Sequence, residues 1–240
     1  EQALGGWVRP AASLPVIADR AGPVRPPRVV VVDMPGAGQA AVTAAVRAPL
    51  RSSDDWYPLA VANAVMGSGQ SGYLFQEVRA KRGLSYGAYS SLGARVDGGL
   101  LTASTQTKNE SAAEVVDLVL AQMTRLTAES VTDTAVTDRE TFITGGHSRA
   151  LETTSGLGSV LAEAVQYGLP LTEIVSYPER IRATTPASLA AAAARVDPAQ
   201  AYVVVVGDSA QFIDALRAAH PDLVVIPAAA VDLNSPTLGL

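Results

Sequence analysis

The chain has 240 residues, enough for one large domain or two small ones. With 48% hydrophobic and 17% charged residues it is globular and buries roughly three-quarters of its unfolded surface, which excludes wholesale disorder. A net charge of −5 argues against a general nucleic-acid binder, and the lack of cysteine excludes a disulfide framework, cysteine-ligated zinc and a thiol nucleophile.

No apolar run reaches the ~18 residues that cross a bilayer, so no membrane partner is expected. Sixteen arginines against two lysines fit a GC-rich genome rather than a recognition role. The start, Glu1 to Trp7, has no basic or apolar leader region and no initiator Met. The chain is therefore expected to be a fragment or a processed product, with any targeting signal upstream.

Residues 1–27 read as the end of a preceding domain and a linker. The stretch from 8 to 27 carries Pro10, Pro15, Pro23, Pro26 and Pro27 and suits an extended connector. The β-branched run from Arg28 to Met34 predicts a buried strand closed by Pro35-Gly36, and Gln39 to Val46 a second strand. Ser52 to Asp55 is expected to cap a helix running from Trp56 to Met66. A glycine-rich loop, Gly67 to Gly72, then opens a short helix with Leu74, Phe75, Val78 and Arg79, stopped by Gly83. Two strands, Tyr86–Arg95 and Gly99–Thr107, are joined at Asp97-Gly98, a dipeptide suited to a tight turn.

Ser111 to Glu114 is a capping-box pattern ahead of Val115, Val116, Val119, Leu120, Met123 and Leu126 at helical spacing. Residues 133–168 read as two helices or a kinked pair interrupted at Gly145-Gly146 and Gly156. Pro170, Pro178 and Pro186 punctuate two shorter helices. Ala201–Val206 is a final strand, 209–219 a helix, and the tail beyond Pro227 an extended or disordered arm. Strands, then a block of helices, then a late strand predict an α+β fold, with helices on one face of a largely antiparallel sheet.

Most of the chemical motifs fail on context. Gly67-Ser68-Gly69-Gln70-Ser71-Gly72 is a literal G-x-G-x-x-G, but a helix precedes it where a dinucleotide site needs a strand. Gly146-His147-Ser148-Arg149-Ala150 resembles a nucleophile elbow, with Asp197 or Asp208 and His220 as nominal triad partners. A surface helix explains that run more simply. His147 and His220, the two histidines, lie 73 positions apart and form no zinc motif, so no metal ligand is assigned.

The segment from Leu74 to Tyr86 is different. Leu74 and Val78 share one helix stripe, and Phe75 and Arg79 another. A helix–turn–strand reversal at Gly83 can bring Arg79 and Tyr86 into one cleft. A guanidinium can donate to a peptide carbonyl, and a tyrosine hydroxyl beside it can stabilise the oxyanion formed there. A capping arginine with a half-buried tyrosine satisfies the same spacing, and these residues alone leave both readings open.

The glycine-rich loop, Leu74-Phe75-Gln76-Glu77-Val78-Arg79 and Arg82-Gly83-Leu84-Ser85-Tyr86 together resemble the non-metal domain of the insulinase, pitrilysin and mitochondrial processing peptidase family. Leu4-Gly5-Gly6-Trp7, Tyr167-Gly168-Leu169-Pro170 and Val204-Val205-Val206-Gly207-Asp208 are similar to further family habits. Gly72 departs from it, standing where relatives often place Arg.

The resemblance implies that residues 28–240 form one half of a clam-shell and that Arg79 and Tyr86 face a substrate. It sets Gly67, Ser68, Gly69, Gln70, Ser71 and Phe75 beside the substrate path. It also implies that zinc is held by an H-x-x-E-H motif in a homologous partner half, upstream on the same polypeptide or on a separate subunit. Peptide is then the expected substrate, and the periplasm the favoured compartment. The alternative is a non-catalytic scaffold or peptide-binding subunit of the same fold.

Overall fold

A computed structural model describes residues 29–95, 98–128 and 131–235, together with Gly6, Val8 and Leu238. The linker expected over 8–27 and the turn residue Asp97 lie outside the described residues, Val8 apart.

The described strands are β1 (Val29–Asp33), β2 (Ala40–Ala48), β3 (Ala88–Arg95), β4 (Gly98–Thr107), β5 (Tyr202–Gly207) and β6 (Val224–Pro227). They form a single sheet in the order β3-β4-β2-β5-β1-β6. The pairs β3–β4, β4–β2 and β2–β5 are antiparallel, whereas β1 runs parallel to both β5 and β6. The sheet is thus mixed, antiparallel across the half that carries the candidate site. The short edge strand β6 is an addition to the elements expected from sequence.

Strand β2 shows why the sheet has two unlike faces. Ala40, Val42, Ala44 and Val46 are buried, and the alternate residues Ala41, Thr43, Ala45 and Arg47 face outward. On the buried side lie α1 (Trp56–Gly67) against β3 and α2 (Ala112–Ala128) against β2 and β4. An outer set comprises α3 (Asp133–Leu151), α4 (Thr154–Gln166), α5 (Glu173–Arg182) and α6 (Pro186–Ala193). The short α7 (Ile213–Ala219) packs beside α2. Because α1 is enclosed between the sheet and α3, α5 and α6, it is apolar nearly all round. Helices therefore cover one face and leave the other open across β2, β3 and β4, whereas Val30 of β1 and Ile226 of β6 are buried on that side.

Several local expectations change. Asp55 precedes α1 without a side-chain cap bond; Ser53 Oγ instead accepts from the Asp55 amide at 3.3 Å. Gly145-Gly146 lies inside α3, and the break comes at Thr153, whose hydroxyl accepts from the Gly156 amide to start α4. Pro178 sits within α5 rather than between helices. Lacking an N–H, it frees the Ile174 carbonyl, and His147 Nε2 of α3 lies 2.8 Å from that oxygen. A ring N–H donated there replaces the missing helix bond.

Candidate functional site

The helix after the glycine-rich loop is a π-helix, Phe75–Ala80, where sequence spacing predicts an α-helix. Its Lys81 amide bonds to Gln76 O, five residues back. The exit is widened by the same single residue: Gly83 N reaches Arg79 O at 3.0 Å and Leu84 N reaches Val78 O at 2.9 Å. Gly83 has φ +65°, the left-handed conformation that lets the chain reverse. Leu74 and Val78 are fully buried as expected, while Phe75 is half-buried against the Tyr89 ring, 6.4 Å away.

After the reversal, residues 84–87 are fastened to β4. Thr107 Oγ1 donates to Leu84 O at 2.6 Å, and Thr105 Oγ1 lies 2.7 Å from Ser85 Oγ and 2.8 Å from Gly87 O. Ser85 Oγ also accepts from the Gly87 amide at 3.0 Å. These anchors hold the backbone on both sides of Tyr86 and turn its side chain outward, 90% exposed. Tyr86 therefore stands two residues ahead of β3 rather than beginning it. The anchoring roles of Thr105 and Thr107 leave no mark in the sequence, because an isolated hydroxyl carries no signal until its partner segment is known.

The Arg79 guanidinium carbon lies 5.7 Å from the Tyr86 ring centroid. The neighbouring cations share Glu77: Lys81 pairs with one oxygen and Arg82 with the other, at 2.6 Å for Arg82. Hydrogen bonds from Lys81 and then Arg82 hold the Glu77 carboxyl below its usual range. Arg79 itself has no ion pair among the described residues, so its charge is left for another group.

Tyr86 forms one wall of an open basin of about 420 Å³ on the uncovered sheet face. Gln39, Ala41 and Thr43, Ser104 to Gln106, and Ser85, Gly87 and Tyr89 complete it. The basin is hydroxyl-rich and uncharged. The loop residues stand outside this lining. Gly67 is buried at the end of α1, where an added Cβ would fall 2.3 Å from the Ser90 amide nitrogen. Ser68 is half-buried, and Gly69, Gln70 and Ser71 are exposed. Arg139 of α3 pins the loop by donating to Ser68 O at 3.2 Å and Ser71 Oγ at 2.8 Å, and Gln76 Nε2 donates to Gln70 O at 2.7 Å. Phe75 meets the basin only through Tyr89.

A second cavity, about 350 Å³, lies among the helices and is lined in part by Arg51, Trp56, His147, Glu163, Glu173 and Tyr177. Arg51 is enclosed by the Trp56, Tyr57 and Tyr177 rings and donates to Glu163 at 2.7 Å and Glu173 at 3.3 Å. Burial pushes the Tyr177 hydroxyl up to about 12. These contacts tie helices together.

The other tempting groups are engaged separately. Ser148 lies in the last turn of α3 with its hydroxyl donating to Thr144 O at 3.1 Å, which is not an elbow. His220 is 3.8 Å from Asp117. Among the described residues no group of three or more His, Asp or Glu side chains could hold a metal ion, so the donor set here does not fit zinc. No described helix is long and apolar enough to cross a membrane.

Residues 1–138 match the family described as the peptidase M16 inactive domain. A zinc protease of Mycobacterium tuberculosis, itself uncharacterized, is 34% identical over 123 residues, covering 51% of this chain and 27% of that protein. The matched part thus spans under a third of that relative's length. Among solved structures, a peptidase M16 inactive domain from Pseudomonas fluorescens superposes with a TM-score of 0.69 at 22% identity, over 76% of this chain and 44% of that one. An inactive peptidase domain from Bordetella parapertussis gives 0.64 at 16% identity, over 70% of this chain and 92% of that one. A chain of complex III from Candida albicans gives 0.66 at 16% identity, over 80% of this chain and 48% of its own. The mixed sheet, the helices confined to one face and the match over residues 1–138 agree, and the chain belongs to the peptidase M16 inactive-domain family, the non-zinc half of the insulinase-type fold.

Proposed function

We propose that this chain is the zinc-free half of a metallopeptidase active site, in which Arg79 and Tyr86 grip a peptide backbone and polarise the carbonyl to be cleaved. The observation that carries this is the pairing of an arginine without a carboxylate partner among the described residues with an exposed tyrosine hydroxyl at the edge of an uncharged basin. The guanidinium would donate to the substrate carbonyl, and the phenol would follow the charge as it grows on the oxygen. A zinc ion in the homologous partner half would supply the activated water. The exposed Gly69, Gln70 and Ser71 would border the peptide beyond Arg79, with Gly67, Ser68 and Phe75 setting the position of that border.

The test is to combine the chain with its zinc-bearing half and follow hydrolysis of a quenched fluorescent peptide. Arg79→Ala and Tyr86→Phe should each lower kcat/KM by about 100-fold, the scale of losing one oxyanion donor. Unchanged hydrolysis in both variants would remove the assignment. The scaffold reading has one observation in its favour, the likeness to a complex III chain. It would replace the peptidase reading if the combined halves bind no peptide.

A further inference from the structure

Among the described residues, the outward side of β2, β3, β4 and β5 carries charge of one sign. Its outward side chains run Tyr89, Ser91, Gly93 and Arg95 on β3, Leu100, Thr102, Ser104 and Gln106 on β4, and Ala41, Thr43, Ala45 and Arg47 on β2. Register aligns these into rows: Tyr89, Ser104 and Thr43; then Ser91, Thr102 and Ala45; then Gly93, Leu100 and Arg47; with Arg95 beyond them opposite Gly98. The outward positions of β5 add Tyr202, Val204 and Val206. None of these positions is a carboxylate. Arg47 and Arg95 are both exposed, and neither has an ion pair among the described residues.

Arg47 and Arg95 therefore stand together at the end of the face away from Tyr86. Arg95 lies six positions beyond Tyr89, about 20 Å along the strand, and nine positions beyond Tyr86. Between them lies a floor of small and hydroxyl-bearing side chains, which admits an extended backbone without competing charge. On the opposite, helical side Glu163 and Glu173 pair with Arg51, so the absence of acids among the described residues is particular to the open face.

Building on the peptidase reading, we infer that this half selects extended peptides bearing acidic side chains about six to nine residues from the carbonyl held by Arg79 and Tyr86. The carboxylates meet Arg47 and Arg95 while the intervening residues lie over the neutral floor. Facing charges of opposite sign favour such a segment and repel one with lysines at the same place.

The experiment uses the 240-residue chain and labelled decapeptides of Ala, Ser and Thr carrying two adjacent Glu, Gln or Lys residues near either the N- or C-terminus. Fluorescence anisotropy at about 20 mM salt, where exposed charges are weakly screened, reads the affinity. In one of the two polarities the Glu peptide should bind about fivefold tighter than the Gln peptide, and the Lys peptide more weakly than both. The Arg47→Glu/Arg95→Glu double variant, with its fold checked by circular dichroism, should reverse the order of Glu and Lys and leave the Gln peptide within about twofold.

Equal affinity for Glu and Gln peptides in both polarities overturns the inference but leaves the peptidase reading standing. Binding of an oligothymidylate tighter than any Glu peptide overturns it in favour of a nucleic-acid polyanion. Binding of no peptide at all by this chain overturns the inference, and the peptidase reading falls with it only if the combined halves also bind none.

Discussion

Glu140 of α3 is nine-tenths buried, and its Oε1 has no hydrogen-bond partner among the described groups. Burial raises its carboxyl pKa, and the charge of Arg182 offsets only part of that. A carboxyl whose folded pKa lies above its unfolded one favours the native state below the unfolded value, and that contribution is lost as pH rises through the folded value. Glu140→Gln should therefore be more stable than wild type in urea melts at about pH 7, with the gain shrinking toward about pH 4. A gain independent of pH would mean that ionisation is not the cause. Nothing about Glu140 was legible in the sequence, since its place on α3 resembles any exposed helix position until α5 is packed beside it. Arg79 and Tyr86 are the opposite case. Their spacing across Gly83 permitted a shared cleft, and the 5.7 Å approach follows from that local reversal.

At the scale of elements, the glycine-rich loop shows how one motif can hold glycines for different reasons. Gly67 admits α1 against β3, where a Cβ would strike the Ser90 backbone, whereas Gly69 has open space and φ +71°. Gly67→Ala should cost about 3 kcal/mol through overpacking against a backbone that cannot rotate away. Gly69→Ala should cost about 1 kcal/mol, the strain of a left-handed alanine. Urea denaturation of the pair checks the order, and equal costs would contradict it. The loop and the helix after it were legible as units, but the π-geometry was not. It depends on the wide exit at Val78 and Arg79 and on Thr105 and Thr107 holding the returning chain. The His147–Ile174 contact was hidden for the same reason, because a proline-freed carbonyl is visible in sequence and the donor that reaches it is not.

Across the whole molecule, Arg51 joins the start of α1 to α4 through Glu163 and to α5 through Glu173, while Tyr57 donates to Glu173 at 2.6 Å. Removing the guanidinium leaves the buried Glu173 with the more distant Arg180, at 3.5 Å, and the Tyr57 hydroxyl. Arg51→Met should lower stability by about 3–5 kcal/mol, and adding Glu173→Gln should recover part of it. A loss under about 1 kcal/mol would show that the network contributes little. This scale was the least legible, since the network joins residues more than one hundred positions apart.

By itself the sequence determined the alternation that gives β2 a buried and an open face, the helical blocks, and the reversal that sets Arg79 beside Tyr86. These rest on periodicity and on backbone preferences acting over a few residues. Only the tertiary structure decided that β6 joins β1, that the hydroxyls of β4 hold Tyr86 outward, and that the described residues of the open face include arginines without acids. Each of these is a pairing between distant segments, fixed by sheet register and packing once the chain has closed on itself.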